Sequence, residues 1–132
     1  DERCFLLLSE YESLALKIGR FLQANQGVDA RRYYRRASIG AMFAMFHKSS
    51  RDALEFWNQV VTGVGIKAKS PVLLLQSYLL RVRKTTIRQR DRFIASDEEI
   101  LRACLVAWNA WREGKQITAL KPGSLKARPA VV

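Results

Sequence analysis

The chain is poor in the residue types that most catalytic and metal sites require. It carries one histidine, His47, two cysteines a hundred positions apart, Cys4 and Cys104, and 12 acidic residues against 23 basic ones. One histidine and two distant thiols supply no zinc ligand set. Between Glu55 and Asp91 there is no acidic residue, so the middle of the chain lacks the convergent carboxylates of metal-dependent nucleases. The acids cluster at the start of the first helix and at Asp97-Glu98-Glu99, where helix capping accounts for them. His47 borders the most apolar segment, and no Ser or Asp can be paired with it from sequence. No glycine-rich phosphate loop precedes a helix. The expectation is a chain without catalysis, metal, cofactor or small-molecule substrate.

Long uncharged apolar runs are missing too. The longest, Ala37 to Phe46 and Ser70 to Leu80, fall short of the roughly 18 residues of a membrane span. A membrane partner is therefore not expected. Asp1-Glu2 stands where a signal peptide would need a basic region, and a start without methionine hints at a trimmed chain or a fragment. Cys104 falls on the apolar stripe of a predicted helix, so a buried thiol and a reducing, cytoplasmic setting are expected.

What the chain has in surplus is positive charge, +11 formally over 132 residues. The surplus is concentrated in Arg31-Arg32-Tyr33-Tyr34-Arg35-Arg36, in Arg81-Val82-Arg83-Lys84, and in Arg88-Gln89-Arg90-Asp91-Arg92. Such a distribution makes a positive surface field, and its commonest partner is a nucleic acid backbone, DNA or RNA. An anionic membrane or an acidic protein could also answer that field, and composition does not rank the three.

At 48% hydrophobic residues, the chain is long enough for one core and too short for two. Its periodicity predicts an all-α, compact bundle of about five helices over residues 1–114, followed by an extended basic tail over 115–132 that contains Pro122, Gly123 and Pro129. The first helix is expected from a capping box at Ser9, with its stripe on Tyr11, Leu14, Ala15, Ile18, Phe21 and Leu22. The second should start after Asp29, carry the Arg-Tyr cluster in its first two turns and be buried all round from Ala37 to Phe46. Arginines in a first turn oppose the helix dipole, at roughly a few tenths of a kcal/mol each. The third spans Ser50 to Thr62 with Gly63 as its stop. The fourth starts at Ser70-Pro71 and uses Leu74, Leu75, Tyr78, Leu79 and Val82. The fifth starts at Ser96 and buries Ile100, Cys104, Ala107, Trp108 and Trp111 before Gly114. Thr85 to Ala95 reads as a polar linker or a fraying helix extension.

If the fourth helix continues past Thr85, Arg81, Lys84, Arg88 and Arg92 recur at three- and four-residue spacing, as a phosphate-tracking ridge opposite the core stripe. A solvated charged face is the plainer reading. The absence of interleaved acids favours binding, because like charges repel until a polyanion neutralises them. In the Arg31 to Arg36 cluster, guanidinium groups beside tyrosines suit phosphate contact combined with base stacking. Adjacent tyrosines on a helix diverge, so one of Tyr33 and Tyr34 should face the core and the other, taken as Tyr34, should be exposed; a surface tyrosine lying along basic stems is the alternative. The nucleic-acid-binding set is thus Arg31, Arg32, Tyr34, Arg35, Arg36, Arg81, Arg83, Lys84, Arg88, Arg90 and Arg92. A helix-turn-helix reading fails, since Pro71, Val72, Leu73 and Leu74 would have to read base edges.

The runs Arg51-Asp52-Ala53-Leu54-Glu55-Phe56-Trp57, Thr62-Gly63-Val64-Gly65, Ser70-Pro71, Leu79-Leu80-Arg81-Val82-Arg83 and Ala107-Trp108-Asn109-Ala110-Trp111-Arg112-Glu113-Gly114-Lys115, with Leu120, carry a resemblance. Over Ser38 to Leu120 the chain is similar to the helical C-terminal region of phage- and plasmid-borne proteins that bear a ParB/sulfiredoxin-like domain at their N-terminus. The resemblance implies a helical appendage in mobile-element DNA biology. This chain lacks the ParB-like domain and its acidic and arginine-rich site, so no catalytic residue carries over. Two function classes follow: a nucleic-acid-binding module without catalysis, or a structural subunit of a larger nucleoprotein assembly with other protein subunits, such as a helical subunit of an RNA-guided complex.

Overall fold

In the computed structural model, residues 8–88, 96–117, 120 and 129–132 are described, with side chains given from residue 10 on and not for 84–88. They form six α-helices: α1 (Leu8–Ala24), α2 (Val28–Arg31), α3 (Arg36–Lys48), α4 (Ser50–Thr62), α5 (Pro71–Arg88) and α6 (Asp97–Glu113). No strand occurs among the described residues.

α3 is the central rod, packing against α1, α4 and α6, while α5 lies against α4 and α6 and the short α2 rests on α4. The burial foreseen on every side from Ala37 to Phe46 is not found: Gly40 is exposed and Ile39, Phe43 and Ala44 are partly so, because Gly40 and Ala44 line an open groove instead of a packed face. Ala37, Ala41, Met42, Met45 and Phe46 are all buried, whereas Gly40, His47 and Lys48 reach solvent. Around it the core takes Leu14, Ile18 and Phe21 from α1, Phe56, Trp57 and Val60 from α4, Val72, Leu75, Tyr78 and Leu79 from α5, and Ile100, Cys104 and Trp108 from α6. Phe56 is the aromatic hub: its ring meets Trp57, Trp108 and Trp111 edge-on at 5.4–5.6 Å between centroids, a separation at which aromatic pairs attract beyond simple burial.

The helix ends follow local chemistry. Ser49 caps α4 by accepting the Asp52 amide, Ser70 accepts the Val72 amide at the start of α5, and Ser96 accepts the Glu99 amide at the start of α6. Each satisfies an amide that the helix cannot. Gly63 and Gly114 terminate α4 and α6 at φ 74° and 68°, a left-handed turn that only glycine enters at no steric cost.

Three further expectations are corrected. The helix foreseen from Asp29 to Phe46 is two helices with a break at 32–35. Ser38 causes it: its hydroxyl, completely buried, accepts the Arg35 amide at 2.7 Å and donates toward the Tyr33 and Arg35 carbonyls. The break also removes the expected conflict with the helix dipole, because Arg31 closes α2, where positive charge is favourable, and only Arg36 lies in the first turn of α3. Secondly, α1 already includes Leu8, so Ser9 is inside the helix rather than capping it; Tyr11 is half exposed and stacks on Phe43 at 5.6 Å. Thirdly, the described residues beyond Gly114 do not extend away from the bundle. Leu120 is 1% exposed, and the Asn109 side chain donates to the Ala130 carbonyl and accepts the Val132 amide, while the Trp108 indole donates to the Val132 carbonyl. Of the segment foreseen as a polar linker or a fraying helix extension, Thr85 to Arg88 continues α5 and residues 89–95 lie outside the described residues.

Candidate nucleic-acid interface

The two basic clusters stand on different elements. Arg31, Arg32, Arg35 and Arg36 occupy the corner between α2 and α3, and Arg81 and Arg83 lie on α5. Lys84 and Arg88 fall in the last turns of α5, with side chains outside the described residues, and Arg90 and Arg92 lie outside them altogether.

At the corner, Arg31 and Arg36 are exposed and Arg35 is partly so. None of these three forms an ion pair among the described residues. Arg32 is engaged: its guanidinium pairs with Asp29 at 3.4 Å, donates to the Asp29 carbonyl and lies 5.9 Å from the Tyr33 ring centroid. Arg36 shares a groove with Asp97 and Glu98 from the start of α6, so the positive field is strongest toward Arg31 and Arg35.

Tyr33 is the buried tyrosine, at 4% exposure. Contrary to expectation, Tyr34 is not free to stack. It is partly buried, its hydroxyl donates to the Asn25 carbonyl at 2.7 Å, and burial pushes its pKa above the ordinary tyrosine value. Both rings fasten the corner to the bundle.

On α5, Arg81 donates from its guanidinium to the Leu120 carbonyl at 2.8 Å, which makes it a strut holding residue 120 against the helix. Arg83 is partly buried. The backbone of α5 does run past Thr85, as the ridge reading requires.

Two groups of cations escaped the sequence reading. Lys17 and Arg20 of α1 and Arg51 of α4 line one open groove; Lys67, Lys69 and Lys115 line a second cleft at the start of α5, with Glu55 on its wall. Each group gathers residues from separate elements, and only the spacing of Lys17 and Arg20 by three on one helix and the nearness of Lys67 to Lys69 were visible in the sequence.

The Trp108 to Gly114 run has a structural task at nearly every position. Trp108 is buried, Asn109 holds residues 130 and 132, Arg112 pairs with Asp52 of α4 while lying 5.2 Å from the Trp108 ring centroid, and Gly114 stops the helix. His47 lines a shallow groove with Glu10, Ser13 and Ser50. The Ser50 hydroxyl there accepts from Lys17 of α1 and donates to the Phe46 carbonyl of α3, an arrangement that ties three helices together. Among the described residues no group of three or more His, Cys, Asp or Glu side chains could hold a metal ion, and no helix is long and apolar enough to cross a membrane.

Comparison with known proteins gives no match to a family model, to a curated protein or to a solved structure.

Proposed function

We propose that the chain is a non-catalytic helical module that holds the phosphate backbone of a nucleic acid, DNA or RNA, in the biology of phages or plasmids. The observation that carries the reading is the α2–α3 corner, where Arg31, Arg35 and Arg36 stand on a rigid turn without ion pairs among the described residues. Guanidinium groups gathered within six residues repel one another, least at Arg36, which shares a groove with Asp97 and Glu98, and a polyanion relieves that repulsion while releasing its own counterions. A formal charge of +11 steers the same partner over longer range. The mobile-element setting rests on the resemblance carried by residues 38–120.

The test is the salt dependence of binding to a labelled oligonucleotide, single- and double-stranded. Each phosphate held contributes about 0.7 to 0.9 to the slope of log affinity against log salt. Replacing Arg31, Arg35 and Arg36 together by glutamine should lower the slope by about 2 to 3. An unchanged slope would remove the corner from the interface.

A second reading, a structural subunit of a larger nucleoprotein assembly, is favoured by one observation: the groove between α1 and α4 is open to solvent and lined by Phe21, Phe46 and the exposed Leu54. A chain that binds no oligonucleotide at about 100 mM salt, where backbone contacts still hold, would move the balance to it.

A further inference from the structure

We propose that the groove between α1 and α4 is a docking site for an acidic amphipathic helix of a partner protein. The groove has a volume of about 510 Å³ and is walled by Lys17 to Ala24 on one side and Arg51 to Asn58 on the other. Each wall is two helical turns long, about 10 Å at 1.5 Å per residue. That length matches the side chains at i, i+4 and i+7 of an incoming helix.

The chemistry of the lining selects the occupant. Phe21 and Phe46 form the floor and Leu54 rises from α4 with 43% of its surface exposed, so the centre of the groove offers apolar contact. Lys17 and Arg20 stand on the α1 wall and Arg51 on the α4 wall, and no carboxylate lines the groove. Arg20 and Arg51 form no ion pair among the described residues, while Lys17 donates to the Ser50 hydroxyl at 3.3 Å. A helix with an aliphatic stripe and acidic residues on both flanks meets the floor and both walls at once.

Nucleic acid fits this groove less well than it fits the α2–α3 corner. Base stacking needs an open ring face, and Phe21 and Phe46 are each only 3% exposed. A second copy of the chain is disfavoured by charge, since both copies would carry +11. The proposal does not depend on the corner arginines, so either reading can fail alone.

The experiment uses two labelled synthetic peptides of about four helical turns, with leucines at i, i+4 and i+7. One is flanked by glutamates and the other is identical except for lysines in their place. Fluorescence anisotropy should show the acidic peptide binding at least about tenfold more tightly than the basic one, the effect of a few rim ion pairs acting together. Arg20→Glu with Arg51→Glu should invert that order, and Leu54→Gln should weaken binding of the acidic peptide; all three side chains are exposed, and circular dichroism verifies the fold. Equal binding of the two peptides to the unaltered chain would overturn the proposal without reference to any variant. So would an acidic peptide that fails to bind while the double charge reversal abolishes binding of a single-stranded oligonucleotide, which would give the groove to a strand. Self-association in sedimentation that disappears in Leu54→Gln, with no peptide bound, would give it to a second copy and overturn the proposal equally.

Discussion

The indole N–H of Trp57 donates to the thioether sulfur of Met45 at 3.1 Å, with both side chains fully buried. The pair ties α4 to the central α3 through the only polar atom that the Trp57 ring possesses. Met45→Leu conserves volume but strands a buried donor, and should cost about 1 to 3 kcal/mol. The same exchange at the equally buried Met42 should cost less than about 1.5 kcal/mol. Urea unfolding followed by tryptophan fluorescence checks both.

Ser38 fixes the turn on which the arginine corner is built. Ser38→Ala leaves the Arg35 amide and the Tyr33 carbonyl without their shared partner, at about 1 to 3 kcal/mol. The expected result is a lower urea midpoint together with weaker oligonucleotide binding, since the guanidinium groups lose their fixed geometry.

Tyr78 is completely buried, and its hydroxyl has no hydrogen-bond partner among the described residues. Burial first, and then the nearby Glu99 and Cys104, push its pKa to about 12. The fold therefore favours the neutral phenol. Its contribution is complete below the ordinary value of 10.0 and is lost as pH rises toward about 12. Tyr78→Phe should be neutral or stabilising at pH 7, because it removes an unsatisfied group, and should flatten the loss of thermal stability across that alkaline window.

Cys104 lies in the same core, and burial raises its thiol from 9.0 to about 12. The thiolate is the reactive form, so in a Cys4→Ser background the native chain should resist a disulfide-exchange reagent at about pH 8 and react promptly once unfolded in urea. Rapid reaction of the folded chain would contradict the burial. By the same sign argument, the thiol's contribution to stability falls as pH rises from 9.0 toward about 12.

Arg81 separates a structural from a binding role. Its bond to the Leu120 carbonyl predicts that Arg81→Gln lowers stability by about 1 to 3 kcal/mol, read in urea. The salt slope for oligonucleotide binding should change by less than about one unit. A slope change as large as that of the corner triple variant would return Arg81 to the interface.

The starts of α5 and α6 and the stops of α4 and α6 were legible because they depend on a few adjacent atoms, whereas the Ser9 cap and the unbroken helix from Asp29 were not borne out. Ser70-Pro71, Ser96, Gly63 and Gly114 could be read directly, and so could most of the stripes of α5 and α6, although Leu74 and Trp111 are only partly buried and Val72 joins the core. In α4, Phe56 takes a buried place and Leu54 faces the groove. The break at 32–35 was hidden because Ser38 looks like an ordinary helical residue until its hydroxyl is seen folded back onto Arg35. The candidate site was legible only where charge is contiguous in sequence. Arg31 to Arg36 stood out, whereas Lys17, Arg20 and Arg51 are single cations whose alliance exists only after α1 comes to rest near α4. Tyr34 misled for a related reason, as its partner, the Asn25 carbonyl, belongs to the preceding turn.

Because one hidden hydroxyl dictates how the corner bends, the exposed guanidinium groups of Arg31 and Arg36 can be exchanged without disturbing the scaffold beneath them. Surface charge at the corner and the folding of the chain can thereby be varied independently by substitution.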